Sequence, residues 1–524
     1  MNAPLRRVGV IVMIMFGLLF ANLNWVQAYK ADEYRTNEYN CRTKIAEYER
    51  PRGIIAVGRD AQAAAVSTEV EDVVAQVCDT YLAVPYLREY PFGELYAHVI
   101  GYQSIELSTF GVERFETEFL AGTADALLVD RIRDMFSGGG SPGGNVLTTL
   151  SGPAQQTAYD ELRDNGNGAD RGAVVALDPR TGAVQAMVSM PSFDPEPLAT
   201  PDREAAIDAY NELVENPDQP LYNRALRIDD IDQQTGQGGA FFPGSVMKVI
   251  VSAAALQAGL DPDTTIEGGA QYTAPTAGSP IGNAPGVNCP EEISLQQALT
   301  VSCNTAFARL AAEELGGDRL QEMAAAFGFG DDELRVGELG NGGLPVAASL
   351  LGELKRDDGQ DDPPTVALSA IGQGSVQMSP LQGALIAATV ANGGVQMHPY
   401  LVEELQDSQL RPVYQASPEQ LRRPLSGEDA NDLRDMMVSV VENGTGRNAQ
   451  IPGYIVGGKT GTAESGSEEE IDHGWFVGFA LDSDGTPITA VAVMLANAGA
   501  GGSAEAARIA GQVMQAVISD RGEG

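Results

Sequence analysis

Strand-like runs stand at the two ends of one long stretch of this chain and helical runs fill its middle. That order leaves few ways to build a core. Ala173–Leu177 and Ala183–Val188 are apolar runs joined by Asp178-Pro179-Arg180-Thr181-Gly182, a hairpin signal. Far downstream, Tyr454–Val456, Trp475–Ala480 and Ile488–Leu495 are three more such runs, and Ala504–Ile518 reads as a closing helix. Between them lie mostly helical segments, including Leu295–Leu315 and Leu381–Ala391. The pattern predicts one sheet assembled from both ends, with a helical subdomain inserted: an α+β architecture. Upstream, Val146–Leu150 reads as a strand and Pro153–Leu162 as a helix. The Gly-, Ser- and Pro-rich run Ser137–Gly144 reads as a flexible break. It separates residues 29–144, where short runs such as Gly53–Val57 and Val74–Val77 alternate with turns, from residues 145–524. The acidic segments Asp357–Pro364 and Gly466–Asp472 read as surface loops.

The first residues address the rest. Arg6-Arg7 precede an uncharged run, Val8–Tyr29, whose core Val8–Ala21 is strongly apolar. About 21 helical residues span the roughly 30 Å hydrocarbon layer. Residues 1–28 therefore read as a cytoplasmic tip and single-pass signal-anchor in the cell membrane, with the arginines inside and Trp25 near the outer interface. Asn22, Asn24 and Gln27 weaken the second half of the span, and the alternative is a cleaved signal peptide ending at Val26-Gln27-Ala28. Both readings export the remainder of the chain, which permits disulfides.

Composition sharpens this. With 33 Lys plus Arg against 72 Asp plus Glu, the net charge is −39. Such a surface repels phosphate backbones, so no nucleic-acid partner is expected. His98, His398 and His473 stand in no metal-ligand spacing with one another or with Cys, so no metal and no cofactor is expected. Four cysteines allow three pairings. The break at Ser137–Gly144 segregates them two and two, which favours Cys289 with Cys303 and Cys41 with Cys78; buried free thiols are the alternative.

The chain has only five lysines: Lys30, Lys44, Lys248, Lys355 and Lys459. Where Lys is this rare, its ability to lose a proton, which Arg lacks, gives a reason to keep it. In Phe241-Phe242-Pro243-Gly244-Ser245-Val246-Met247-Lys248, Pro-Gly-Ser followed by an apolar run marks a helix start. Ser245 and Lys248, three apart, share a helix face. A desolvated Lys248 could take the proton of the Ser245 hydroxyl. A surface Lys beside a capping Ser would look the same. Ser302-Cys303-Asn304 lies between two helical runs; a hydroxyl and a carboxamide one residue apart can relay a proton and hold a substrate amide, though such pairs are common in loops. Lys459-Thr460-Gly461-Thr462 follows the run at Tyr454; an ammonium and two hydroxyls on a strand edge can hold a carboxylate, and Gly461 admits a close approach of a ligand to the backbone.

Taken together and in this order, Ser-x-x-Lys, Ser-x-Asn and Lys-Thr-Gly are the motif set of penicillin-interacting serine acyltransferases. The chain resembles the class B penicillin-binding proteins over nearly its whole length. The resemblance extends to Ala97-His98-Val99-Ile100-Gly101-Tyr102, Gly111-Val112-Glu113, Asn223-Arg224-Ala225, Gly372-Gln373-Gly374 and Ala391-Asn392-Gly393-Gly394. It implies an antiparallel five-stranded sheet flanked by helices, an inserted helical subdomain, a smaller non-catalytic α+β domain ahead of it, and an N-terminal membrane anchor. It also implies a peptidoglycan D,D-transpeptidase that β-lactams inhibit covalently. Ser245 would attack the D-Ala-D-Ala bond of a stem peptide, Lys248 would be its base, and Ser302 would relay the proton. Asn304 would hold the substrate amide, Lys459 would supply positive potential, and Thr460 and Thr462 would bind the terminal carboxylate, with Gly461 between them a further substrate-binding position. Backbone N–H groups of Ser245 and Thr462 would form the oxyanion hole. Implied partners are stem peptides bearing donor and amine acceptor, β-lactams, a polytopic glycosyltransferase, and division or elongation proteins meeting residues 29–144.

Related activities are discriminated by what the chain lacks. A class A β-lactamase needs a deacylating Glu in a Glu-x-x-x-Asn motif. No Asn between Asn304 and Lys459 has Glu four residues before it. A bifunctional enzyme would need a glycosyltransferase domain, for which residues 29–144 are too few. A D,D-carboxypeptidase remains open, since the motifs do not distinguish water from amine as acceptor. A catalytically silent scaffold is disfavoured by the intact motifs.

Overall fold

The computed structural model describes residues 2–30, 50–58, 61–70, 73–77, 80–104, 106–107, 109–128, 133, 142–227, 241–337, 342–463 and 472–522. Cys41, Cys78, Ser137–Ser141 of the glycine-rich run and Gly466–Ile471 of the second acidic segment lie outside them.

Five antiparallel strands form the central sheet, in the order Ile455–Ala463, His473–Leu481, Pro487–Ala496, Arg171–Leu177, Val184–Met190. The two ends of the stretch do meet in one sheet, as the order of runs predicts. Side chains alternate between two cores with the period of two that a strand imposes. Ala173, Val175 and Leu177, with Ala490, Ala492 and Met494, join the core that holds the apolar residues of helices Met247–Gln257 and Pro380–Ala391. Val174, Ala176, Val491 and Val493 join the core built on helices Gly152–Arg163 and Gly502–Asp520. With both faces covered, the inner strands are apolar at most positions, which is why those segments read as continuous runs.

A second sheet of six strands runs Pro412–Gln415, Val402–Gln406, Asn145–Thr148, Ile55–Val57, Gln62–Glu69, Tyr86–Glu89. The strand expected at Val146–Leu150 is shorter and belongs here: Val146 and Leu147 pair in parallel with Ile55 and Ala56, and antiparallel with Leu405 and Glu404. This sheet therefore draws strands from both sides of Gly144. The described end of the glycine run, Pro142–Gly144, is not loose. A Cβ on Gly143 would fall 1.6 Å from the carbonyl oxygen of Leu120, and one on Gly144 2.3 Å from the Phe119 ring. These glycines permit close packing rather than flexibility. Beside them Glu113, fully buried, receives Arg88 Nε at 2.5 Å and Arg52 Nε at 2.7 Å. Burial pushes its carboxyl up, but the two guanidiniums win and hold it below the usual range.

The expected helix Leu295–Leu315 is interrupted. Leu295–Val301 stops at Ser302, which takes the left-handed conformation (φ 61°, ψ 46°); Asn304–Arg309 restarts, and Leu310–Leu315 winds more widely. Asp357–Pro364 is largely exposed, but Pro363 already opens the helix Pro363–Ala370. At the N-terminus, Asn2–Asn24 is one helix, and Arg6–Gln27, with mean hydropathy 2.0, is long and apolar enough to cross a membrane.

Candidate active site

The three motifs, 57 and 157 residues apart in sequence counted from Ser245 to Ser302 and from Ser302 to Lys459, converge on one cleft. The first sits on a tight turn, Gly244–Val246, that leads directly into the buried helix Met247–Gln257. Gly244 is needed for that turn. Its φ is +52°, and a Cβ there would lie 2.2 Å from the carbonyl oxygen of Thr462. Gly372 closes from the other side, its N–H-accepting carbonyl 3.1 Å from Gly244 N. The Ser245 turn is thus pressed onto the third motif.

That third motif lies within the strand Ile455–Ala463, at the edge of the central sheet. Alternate N–H groups of an edge strand have no neighbour in the sheet and remain for a ligand. The structure gives Gly461 a packing task beside the one expected. A Cβ there would meet the Pro243 carbonyl oxygen at 2.5 Å and Val246 Cγ2 at 2.9 Å. The chain's own Ser245 turn packs closely against Gly461. The hydroxyl of Thr460 lies 2.5 Å from that of Thr445, and the exposed Thr462 hydroxyl lies 3.4 Å from that of Ser503. Thr445 and Ser503 had no signal in the sequence: each sits in a Gly-rich segment that reads as an ordinary turn.

Lys248 is completely buried, and its amine contacts residues of the first and second motifs, Ser245, Ser302 and Asn304. Nζ lies 2.9 Å from Ser245 Oγ, 2.9 Å from Ser302 O, 3.1 Å from Ser302 Oγ and 2.6 Å from Asn304 Oδ1. Two of these four neighbours are carbonyl oxygens, which can only accept. The other two are hydroxyls, which can also donate. A neutral amine fits this set: two N–H bonds to the carbonyls, the lone pair turned to the hydroxyls. Burial, and secondarily the charge of Lys459, hold the Lys248 pKa well below that of an ordinary lysine. Lys459 is also completely buried; its Nζ donates to Ser302 Oγ at 2.9 Å and to its neighbour Thr460 O at 2.8 Å. Ser302 Oγ thus bridges the two lysines, and its left-handed backbone is what turns it there, a strained conformation of a kind that clusters at functional sites.

Burial lowers the Lys459 pKa to about 7. The unfolded chain binds that proton up to the ordinary value of 10.5. The stability cost of burying the ammonium is therefore complete below the folded pKa of about 7 and fades as pH rises to 10.5. Lys459→Met should melt above the wild type at pH 6, and the gap should close in melts taken at progressively alkaline pH.

The expected pair Cys289–Cys303 is a disulfide, with the two residues 14 apart. It ties the middle residue of the second motif to the loop before helix Leu295–Val301. A closed loop of about 15 residues corresponds to about 3 kcal/mol of denatured-state entropy. The variant Cys289→Ala/Cys303→Ala should lose stability of that order in chemical denaturation.

Comparison with known proteins agrees with this geometry. The penicillin-binding protein transpeptidase domain matches residues 172–515, and the penicillin-binding protein A dimerisation domain matches residues 52–146. Peptidoglycan D,D-transpeptidase PbpA of Mycolicibacterium smegmatis is 38% identical over 523 residues, covering 99% of both chains. Its namesake from Mycobacterium tuberculosis is 36% identical over 522 residues, 99% of this chain and 98% of that one. The crystal structure of PBPA from M. tuberculosis superposes with a TM-score of 0.79 at 35% identity, covering 90% of this chain and 100% of that one. A penicillin G acyl-enzyme complex of the same protein gives 0.77 at 34% identity, covering 90% and 99%. Three motifs gathered around one buried amine, on a sheet and helices that superpose on these relatives, lead to one conclusion: the chain belongs to the penicillin-binding protein transpeptidase family.

Proposed function

We propose that this chain is a peptidoglycan D,D-transpeptidase that works through a serine acyl-enzyme and is blocked covalently by β-lactams. The observation that carries the reading is the Lys248 amine, buried, with no carboxylate partner among the described residues, and 2.9 Å from Ser245 Oγ. Ser245 Oγ attacks the carbonyl carbon of the penultimate D-Ala while Lys248 takes its proton. Backbone N–H groups of Ser245 and Thr462 hold the oxyanion. The C–N bond breaks, and the proton passes by way of Ser302 to the leaving D-Ala amine. Lys459, Thr460 and Thr462 hold the terminal carboxylate, and Asn304 the substrate amide. An amine from a neighbouring stem peptide then attacks the ester, returns a proton to the site, and releases Ser245 with a new cross-link.

The single apolar helix at the N-terminus anchors the chain in the cell membrane, with Arg6 and Arg7 inside and the catalytic domain outside. The disulfide suits that placement, since such bonds persist in oxidising compartments. Residues 29–144 form the non-catalytic domain, a platform for a polytopic glycosyltransferase and for division or elongation proteins, and residues 145–524 the transpeptidase domain. The test is to supply a D-Ala-D-Ala stem peptide with and without an amine acceptor. Cross-linked product that grows with acceptor concentration is expected; hydrolysed donor alone would make the chain a D,D-carboxypeptidase.

A further inference from the structure

Asn304 stands at the start of a helix that should cap itself poorly. The first N–H groups of Asn304–Arg309 have no acceptor within the helix. The residue before them is Cys303, whose sulfur, already bonded to Cys289, lies 3.2 Å from the Thr305 hydroxyl and accepts from Ala306 N at 3.4 Å, but from neither Asn304 N nor Thr305 N. Sulfur is a weak acceptor. The missing acceptor comes from a distant residue. Asn283 follows the small hairpin Gln271–Tyr272 and Ile281–Gly282, and its Oδ1 accepts from Asn304 N at 2.8 Å and from Thr305 N at 3.2 Å. Its Nδ2 donates to Gly269 O at 2.9 Å, which fixes the face of the amide turned to the helix. The same carbonyl accepts from the Thr305 hydroxyl at 2.8 Å.

The hairpin also holds the Asn304 side chain. Asn304 Nδ2 donates to Gly282 O at 3.1 Å, and this leaves Oδ1 aimed at Lys248 Nζ, 2.6 Å away. Turning the amide over would set its oxygen against the Gly282 carbonyl and its NH2 against the Lys248 N–H bonds. Neither pair can bond. We propose that Asn283 is a positioning residue for catalysis: it fixes the backbone of Asn304, whose oxygen in turn fixes the Lys248 amine against Ser245. This deepens the function proposed above and rests on the roles given there to Lys248 and Asn304.

The test uses the full chain in detergent and follows acylation by a fluorescent penicillin at varied drug concentration, separating the acylation rate constant from the dissociation constant of the encounter complex. A displacement of about 1 Å near reacting groups can cost of order 100-fold. Asn283→Ala should therefore slow the acylation rate constant roughly 10- to 100-fold and leave the dissociation constant within about threefold. Asn283→Asp, which keeps an acceptor at the helix start, should stay within roughly fivefold of wild type. Because Asn283 acts through Asn304, adding Asn283→Ala to Asn304→Ala should cost little more. Wild-type acylation by Asn283→Ala, a loss confined to the dissociation constant, or a full multiplicative loss in the Asn304→Ala background would overturn the proposal. A wild-type rate for Asn304→Ala alone would remove the roles on which it rests, a result distinct from any of these.

Discussion

Replacing Lys248 by Arg is expected to abolish useful acylation of Ser245, by penicillin and stem peptide alike. The side chain is completely buried, and its nitrogen has four oxygen neighbours within 3.1 Å. A guanidinium in that socket keeps the charge but offers no lone pair near neutral pH, and it is too large for a space fitted to a single nitrogen. Loss of a general base typically costs 10²–10⁴-fold. Lys459→Arg should lose less. Both oxygens that Lys459 contacts accept from a cation, and neither requires it to give up a proton. That side chain is equally buried, however, so crowding should still slow the reaction. Rapid-mixing kinetics with a fluorescent penicillin checks the order of the two variants; equal, wild-type-like rates for Lys248→Arg would mean that another group is the base.

The penicilloyl ester, once formed, should persist. Hydrolysis needs a water deprotonated beside the ester, and the Glu-x-x-x-Asn motif that serves class A β-lactamases has no counterpart between Asn304 and Lys459. None of the four atoms around the Lys248 amine belongs to a carboxylate. Penicillin also keeps its thiazolidine ring tethered in the cleft, where departing D-Ala would leave room for an acceptor. Without a dedicated base, deacylation should trail that of a hydrolase by about 10²–10⁴-fold. Removing free drug and probing for newly vacant Ser245 with a second, fluorescent penicillin measures the lifetime; recovery within seconds would favour a β-lactam hydrolase.

The parts of this fold that showed in the sequence are those whose signal is local. The inner strands of the central sheet carry apolar residues at most positions because both faces are covered, so Ala173–Leu177 and Ile488–Leu495 stand out unaided. The motif residues showed because their chemistry is fixed by type and spacing. The Val146 strand showed as a strand, but not its sheet, since Ile55–Ala56 and Val402–Gln406 choose it by packing across the chain. The close packing at Gly143, Gly144 and Gly461 went unread for a common reason. A missing side chain signals equally a flexible backbone, a bound ligand or a neighbouring chain, and only the fold tells which. Asn283 and Thr445 were invisible because each acts on a motif residue through a single hydrogen bond from a turn-like segment remote in sequence. The buried ions Arg52, Arg88 and Glu113 have no shared spacing, so nothing in sequence joins them.

The central claim is that Ser245 is the nucleophile of a β-lactam-sensitive acyltransferase, and intact-mass spectrometry of the penicillin-treated protein tests it most directly. The expected result is a single adduct of one penicillin, mapped by peptide analysis to Ser245, still present long after free drug is removed and absent from Ser245→Ala. An unmodified protein, or an adduct that survives in Ser245→Ala, would contradict the account.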